Sequence, residues 1–166
     1  PIFVTGCLFI AAVLVVRFIT LSQLGLVDPS EGRYAVAAKD MVETQNWITP
    51  STRQNGVLVP FLAKPPLYIW LSALSMQYFG ESEFAVRLPS FISGVVTCLA
   101  LGFTACIIFG AEIATLAVLG LLASVLFFYI SGTCIVDSLL TCCNTVAVMC
   151  FPLIANRHLA PKYHKL

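Results

Sequence analysis

The chain has 166 residues, of which 59% are hydrophobic and only 10% are charged, and its formal net charge is +1. About a quarter of the residues in an ordinary soluble domain are charged, so this composition excludes a water-soluble globular protein. Several runs of about 20 apolar residues match the thickness of a bilayer core, which predicts an integral membrane protein in contact with the lipid bilayer. No basic patch with interleaved aromatic residues is present, and we expect no nucleic acid partner.

The first predicted span covers residues 2–21, with Arg17 as its only charge, close enough to the end to snorkel to the interface. A polar loop at residues 22–83 follows and holds most of the charge of the molecule. Its first part predicts a helix at residues 28–45, in which Asp28 is the N-cap and the next residue, a proline, lies at the first helical position. One apolar stripe along this helix suits it to the membrane surface or to neighbouring spans.

The rest of the loop predicts a turn and a second short helix. Residues 51–63 contain Asn55-Gly56 and Pro60, which indicate a loop or a short hairpin. The pair Pro65-Pro66 then begins a helix at residues 67–79 that Gly80 ends. At about 13 residues this helix is too short to span a bilayer, and its aromatic residues are of the types enriched at the membrane interface.

Three more apolar segments follow, at residues 84–109, 113–130 and 134–155, and a basic tail occupies residues 156–166. Small residues recur at every fourth position of the first of these segments, which lets another helix approach closely. Because the tail carries three Lys/Arg and no acid, the positive-inside rule places it in the cytoplasm and the loop at 22–83 on the outer side. We therefore predict an all-α polytopic membrane protein with about four transmembrane helices and two juxtamembrane helices in the first outer loop.

Three carboxylates are candidates for chemistry. Asp28 and Glu31 form either a helix N-terminus and nothing more, or a pair of carboxylates for acid/base work or metal binding at the membrane surface. Asp137 lies between apolar segments at the outer end of a span, where an ionisable residue is a functional candidate. The alternatives for Asp137 are a polar contact between helices and a solvated helix end.

Three cations accompany them in the loop. Arg33 and Lys64 are placed to hold a phosphate at the headgroup level, or else they only snorkel or contact lipid headgroups. Arg87, at the mouth of a span, is expected either to neutralise an acid or to bind a headgroup.

The loop also carries an ordered series of motifs, namely E-G-R-Y-A, N-W-I-T-P, K-P-P-L-Y-I-W and F-G-E-S-E-F-A-V-R-L-P-S, with a later Asp137. As a set, over about residues 1–155, they resemble the bacterial branch of the protein O-mannosyltransferase superfamily, which includes the aminoarabinose transferases that modify lipid A. The resemblance implies a type C glycosyltransferase of the bacterial inner membrane with a polyprenyl-phosphate-linked sugar as donor. Its active site would lie on the periplasmic side.

Carried over to this chain, the resemblance places the active-site acids at Asp28–Glu31 and Asp137. Arg33, Tyr34 and Lys64 match family positions near the donor phosphate. Many relatives have Asp-Glu where this chain has Ser30-Glu31, and aminoarabinose transferases usually have a Glu, implicated as a metal ligand, where this chain has Ala63. The cofactor therefore stays unknown, with a divalent metal left open.

Family members are far longer, so we expect this chain to be an N-terminal part whose missing C-terminal transmembrane helices complete the site. The predicted reaction moves a sugar to a lipid A, lipid, glycan or protein acceptor, with Asp28, Glu31 or Asp137 as base and Arg33 and Lys64 on the leaving phosphate. The alternative is a transporter or a lipid-headgroup-binding membrane module without catalysis.

Overall fold

The computed structural model describes residues 2–26, 29–54, 56–62 and 64–163. Within these ranges the elements are, in chain order, α1 (Ile2–Thr20), α2 (Pro29–Thr44), β1 (Ser51–Gln54), β2 (Val57–Pro60), α3 (Leu67–Phe79), α4 (Glu83–Phe109), α5 (Ala111–Ala123), α6 (Val125–Ile130) and α7 (Val136–Tyr163). Helices α1, α4 and α7 each contain an apolar stretch long enough to cross a bilayer. The predicted all-α, multi-pass membrane fold is confirmed, and the described strands form only a small outer hairpin.

The third predicted span, at residues 113–130, is not one helix. Helix α5 has 13 residues, which rise about 20 Å, less than the roughly 30 Å of a bilayer core. Ser124 interrupts the helix because its backbone is extended, with ψ of 118°, and its N–H turns back to the carbonyl of Leu121. The six-residue helix α6 then continues the predicted segment to Ile130.

The fourth predicted span, at residues 134–155, corresponds to the apolar stretch Val136–Ile154 of α7. The backbone of α7 stays helical beyond this stretch, to Tyr163. Polarity alone does not end a helix, and Asn156, Arg157 and His158 offer no glycine at which the chain can turn away.

The two juxtamembrane helices form where the sequence predicts them. Helix α3 has the predicted bounds and is followed by Gly80 at φ of 79°, a left-handed backbone that glycine adopts without a Cβ clash. Helix α2 begins at Pro29, while its predicted N-cap, Asp28, lies outside the described residues. Between these helices the structure selects the hairpin over the loop, with Ser51 opposite Pro60 in an antiparallel ladder.

The stripe of small residues on α4 packs against the chain's own helices. A Cβ added at Gly94 would lie 2.7 Å from Cβ of Ser131, and one added at Gly102 would lie 3.2 Å from Val118. Helix α5 and the turn before α7 therefore occupy part of that face.

One buried core joins the outer helices to the spans. It consists of Tyr34 and Met41 from α2, Tyr68 and Ile69 from α3, and the start of α4, and it extends to Cys134 in the turn before α7. The buried Tyr68 hydroxyl lies 2.7 Å from the Ser90 hydroxyl, so its polar end is satisfied. This core fixes α2 and α3 on the outer ends of α4 and α7, where the candidate residues meet.

Candidate active site

A pocket of about 400 Å³ lies beside the first turns of α2 and α7. Its walls combine polar and apolar groups and come from four separate parts of the chain, with the following lining residues: Ser30, Arg33, Tyr34, Phe61, Lys64, Tyr129, Ile135 and Asp137. Four of the seven candidate site residues are in this set, namely Arg33, Tyr34, Lys64 and Asp137. The tertiary structure therefore brings together residues that are as far apart in the sequence as Ser30 and Asp137.

Each charged group reaches the pocket for a local reason. Arg33 lies in the first turns of α2, where its guanidinium donates to the Ser30 hydroxyl over 3.2 Å. Lys64 lies between the hairpin and α3. Just before it, the Phe61 N–H donates to the Pro50 carbonyl over 2.7 Å, which holds the end of the hairpin in place. Asp137 lies in the first turn of α7, where a carboxylate is stabilised by the helix dipole.

The pocket contains positive charge that the described part of the chain does not neutralise. There, Lys39, Arg53 and Arg87 are all in ion pairs, whereas Arg33 and Lys64 are in none. Both unpaired cations face the same cavity as a single described carboxylate, that of Asp137. This arrangement is suited to an anionic group such as a phosphate.

Tyr34 supplies a neutral donor at the wall of the pocket. Burial raises the pKa of its phenol above the usual value, the nearby Asp137 charge raises it further, and Arg33 acts in the opposite direction. The ring packs edge-on against Phe61 and Tyr68, with centroids 5.9 and 5.7 Å away. The phenol therefore keeps its proton at neutral pH, and the contacts with the two neighbouring rings hold Tyr34 at the wall of the pocket.

Glu31 and Arg87 lie beneath the pocket and do not line it. Two N–H groups of Arg87 donate to the two carboxylate oxygens of Glu31 over 3.0 and 2.9 Å, and both side chains are buried. The remaining Arg87 donors bind the carbonyls of Leu21, Leu24 and Gly25. The expectation that Arg87 neutralises an acid is therefore the one that fits the geometry.

Sequence reasoning missed the part that Arg17 plays. Its guanidinium lies 4.6 Å from the ring centre of Phe128 and donates to the Tyr129 carbonyl over 3.0 Å. It also fills the space beside Gly132 that a side chain would need. An arginine near the end of an apolar span is the signal that was available, but it fits snorkelling equally well.

The chain is similar to known families over much of its length. Residues 63–164, more than half of the chain, match the family described as dolichyl-phosphate-mannose-protein mannosyltransferase. The chain belongs to this family. The resemblance noted in the sequence is thereby confirmed.

Two relatives carry the name undecaprenyl phosphate-alpha-4-amino-4-deoxy-L-arabinose arabinosyl transferase. The one from Pseudomonas savastanoi pv. phaseolicola is 39% identical over 88 residues, covering 53% of this chain and 16% of the relative. One from Proteus mirabilis is 30% identical over 145 residues, covering 87% of this chain and 26% of the relative. The chain thus spans about a quarter or less of the length of these relatives.

Two crystal structures of ArnT from Cupriavidus metallidurans share the fold. The structure bound to undecaprenyl phosphate has a TM-score of 0.76 and 31% identity, and the match covers 84% of this chain and 25% of that chain. The apo structure has a TM-score of 0.68 and 30% identity, covering 80% and 24%.

The donor set of the pocket does not fit a divalent metal. Such ions need several oxygen, nitrogen or sulfur ligands, but the described wall offers one carboxylate, Asp137, beside the cations Arg33 and Lys64. Among the described residues no group of three or more His, Cys, Asp or Glu side chains is close enough to hold an ion. Asp28, which was considered together with Glu31 for metal binding, and Ala63, where the family usually has a Glu, lie outside the described residues.

Proposed function

We propose that this chain is part of a membrane glycosyltransferase and that its outer pocket binds the phosphate of a polyprenyl-phosphate-linked sugar. The observation that carries the proposal is the convergence of Arg33 and Lys64, both without an ion pair among the described residues, on the cavity that holds Asp137. Cations that no protein group neutralises favour a phosphate, because a bound anion then removes the repulsion between them.

In the proposed reaction an oxygen of the acceptor attacks the anomeric carbon of the sugar. The bond from that carbon to the phosphate oxygen breaks, and its electron pair leaves with the polyprenyl phosphate. Arg33 and Lys64 stabilise the charge that develops on the leaving phosphate, while the neutral Tyr34 phenol donates a hydrogen bond to it. Near the membrane interface these contacts are stronger than in water because the dielectric constant is lower.

Asp137 is the proposed acid/base group. A hydroxyl acceptor needs a base to take its proton, and Asp137 is the described carboxylate that lines the pocket. A phosphate acceptor needs little base, and Asp137 then orients it instead. Asp28, outside the described residues, stays a further candidate for the same task.

The setting is proposed from the relatives and from the charge of the chain. Relatives named for an undecaprenyl phosphate sugar donor and a solved relative bound to undecaprenyl phosphate support the donor class. The basic tail supports a bacterial inner membrane protein with the pocket on the periplasmic side. The matched part covers only about a quarter of these relatives, which supports further C-terminal transmembrane helices of the same protein as partners of this part.

The test is binding of undecaprenyl phosphate to the purified protein in lipid nanodiscs, followed by a transfer assay with undecaprenyl-phosphate sugars. Each charged contact is worth about 1.5–3 kcal/mol, so Arg33→Ala or Lys64→Ala is expected to weaken binding by about 10- to 100-fold. Lys39→Ala is the matched control, because Lys39 is already paired with Glu81 over 2.6 Å and does not line the pocket.

Equal binding by the wild-type protein and by all three variants would refute the proposed phosphate site. Binding that depends on Arg33 and Lys64 but leads to no sugar transfer would favour the alternative of a module that binds a lipid headgroup without catalysis.

A further inference from the structure

The buried carboxylate of Glu31 contacts two different parts of the chain. One of its oxygens, Oε1, accepts both the Arg87 Nε–H over 3.0 Å and the backbone N–H of Cys134 over 2.7 Å. The other, Oε2, accepts from a second nitrogen of Arg87 over 2.9 Å. The first turn of α2, the start of α4 and the turn before α7 therefore meet at one side chain.

We propose that Glu31 is a positioning residue that sets the distance between Asp137 and the cations of the pocket. This inference rests on the proposed function, in which Asp137 acts on the acceptor. Glu31 accepts a hydrogen bond from the Cys134 N–H, three residues before Asp137. It also lies two residues before Arg33 on α2, so it links the two sides of the pocket.

The surroundings of Glu31 are unsuited to direct proton transfer. The residue is only 2% exposed and does not line the pocket, so an acceptor bound there cannot reach its oxygens. Both oxygens already accept from the permanently charged guanidinium of Arg87, which favours the carboxylate form. Such a group serves better as a fixed anchor than as a base.

The anchor acts at the point where the position of Asp137 is decided. Helix α7 begins at Val136, and the residues before it form a turn without regular structure. The bond to Cys134 fixes that turn against α2. Arg87, which is part of α4, binds Glu31 and also the carbonyls of the segment after α1. Without the bond, the start of α7 keeps its helical shape but loses its register against Arg33.

The bond between Glu31 and Cys134 can be removed from either end. Glu31→Ala removes the acceptor, and Cys134→Pro removes the N–H while the ion pair with Arg87 stays. The matched controls are Glu43→Ala, which removes an exposed acid from the same helix, and Cys134→Ala, which keeps the N–H. Only variants that remain monodisperse in nanodiscs are compared. If Glu31→Ala does not fold, the comparison rests on Cys134→Pro.

Two measurements distinguish positioning from a general structural role. Hydrogen exchange at residues 129–137 is expected to accelerate by about tenfold or more in Glu31→Ala and Cys134→Pro, with no change in α3. In single-turnover transfer the same variants are expected to be slower by about 100-fold. A displacement of about 1 Å in a positioned catalytic group is enough to reduce the rate by this factor. Their affinity for undecaprenyl phosphate is expected to stay within about threefold, because Arg33 and Lys64 are untouched.

A double-mutant cycle supplies the decisive comparison. Asp137→Asn alone is expected to slow transfer strongly, and adding Glu31→Ala to it is expected to slow transfer by less than about twofold more, since Glu31 acts through Asp137. Losses that multiply would overturn the inference, as would unchanged exchange at residues 129–137 or acceleration spread evenly over the chain. If the wild-type protein neither binds undecaprenyl phosphate nor transfers sugar, the proposed function fails, and the exchange data alone decide whether Glu31 holds the turn.

Discussion

Replacing Arg87 with leucine is expected to be among the most destabilising single changes in the described part of the chain. Arg87→Leu leaves the Glu31 carboxylate, 2% exposed, without its counter-charge. It also deprives the carbonyls of Leu21, Leu24 and Gly25 of their charged donor. The segment after α1 and the first turn of α2 then lose their link to α4.

The expected loss is about 4 kcal/mol in the free energy of unfolding. Summing five charge-assisted hydrogen bonds at about 1.5–3 kcal/mol each would give roughly 8–15 kcal/mol. That sum is too large because removing Arg87 also removes the cost of burying its guanidinium. Breaking one side of a buried ion pair typically costs about 3–5 kcal/mol, most of it from the charge left behind.

The double variant Arg87→Leu/Glu31→Leu tests whether the loss of stability comes from the unpaired carboxylate. Removing both charges also removes the uncompensated carboxylate, so the double variant is expected to be more stable than Arg87→Leu alone. It stays less stable than the wild-type protein, because the Cys134 N–H and the freed carbonyls still lack partners.

The assay is equilibrium unfolding by sodium dodecyl sulfate in mixed micelles, followed by the fluorescence of Trp47 and Trp70. Lys39→Ala is the control, because its pairs with Glu43 and Glu81 are exposed to solvent and are expected to contribute little to stability. If Arg87→Leu lowers the free energy of unfolding no more than this control does, or if the double variant is less stable than the single one, the ion pair does not stabilise the fold as predicted.

Three further changes test other parts of the structure. Tyr34→Phe removes the phenol proposed to donate to the phosphate and is expected to weaken undecaprenyl phosphate binding by about 3- to 10-fold, measured by titration in nanodiscs; unchanged affinity would argue against that hydrogen bond. Gly94→Ala is expected to lower the unfolding free energy by about 1–3 kcal/mol in the micelle assay, because its Cβ would lie 2.7 Å from Ser131, whereas Gly120→Ala, with open space around it, is expected not to destabilise; the reverse order would contradict the packing. Burial raises the pKa of the Cys134 thiol to about 12, so at pH 8 peptide mapping is expected to find almost no maleimide on it, and rapid labelling would show that the turn is open.

Much of the fold follows from local signals in the sequence. The apolar runs identify the membrane spans, because a single apolar segment satisfies its own backbone groups in lipid only as a helix. The bounds of α3 follow from Pro65-Pro66 and Gly80, and the Asn55-Gly56 dipeptide predicts a turn within the loop. The break at Ser124 was missed because neither proline nor glycine stands at that position.

The composition and the apolar runs are enough to assign a membrane protein with one charged loop between spans, and the motifs identify the acids and cations worth testing. Which of these residues share a pocket depends on tertiary packing: Arg33, Tyr34, Lys64 and Asp137 do, while Glu31 is buried outside it. The reason is that the deciding contacts join Glu31 to residues 56 and 103 positions away. Local patterns report which residues prefer a helix or the interface, but a buried ion pair depends on how distant helices pack, which no short stretch of sequence records.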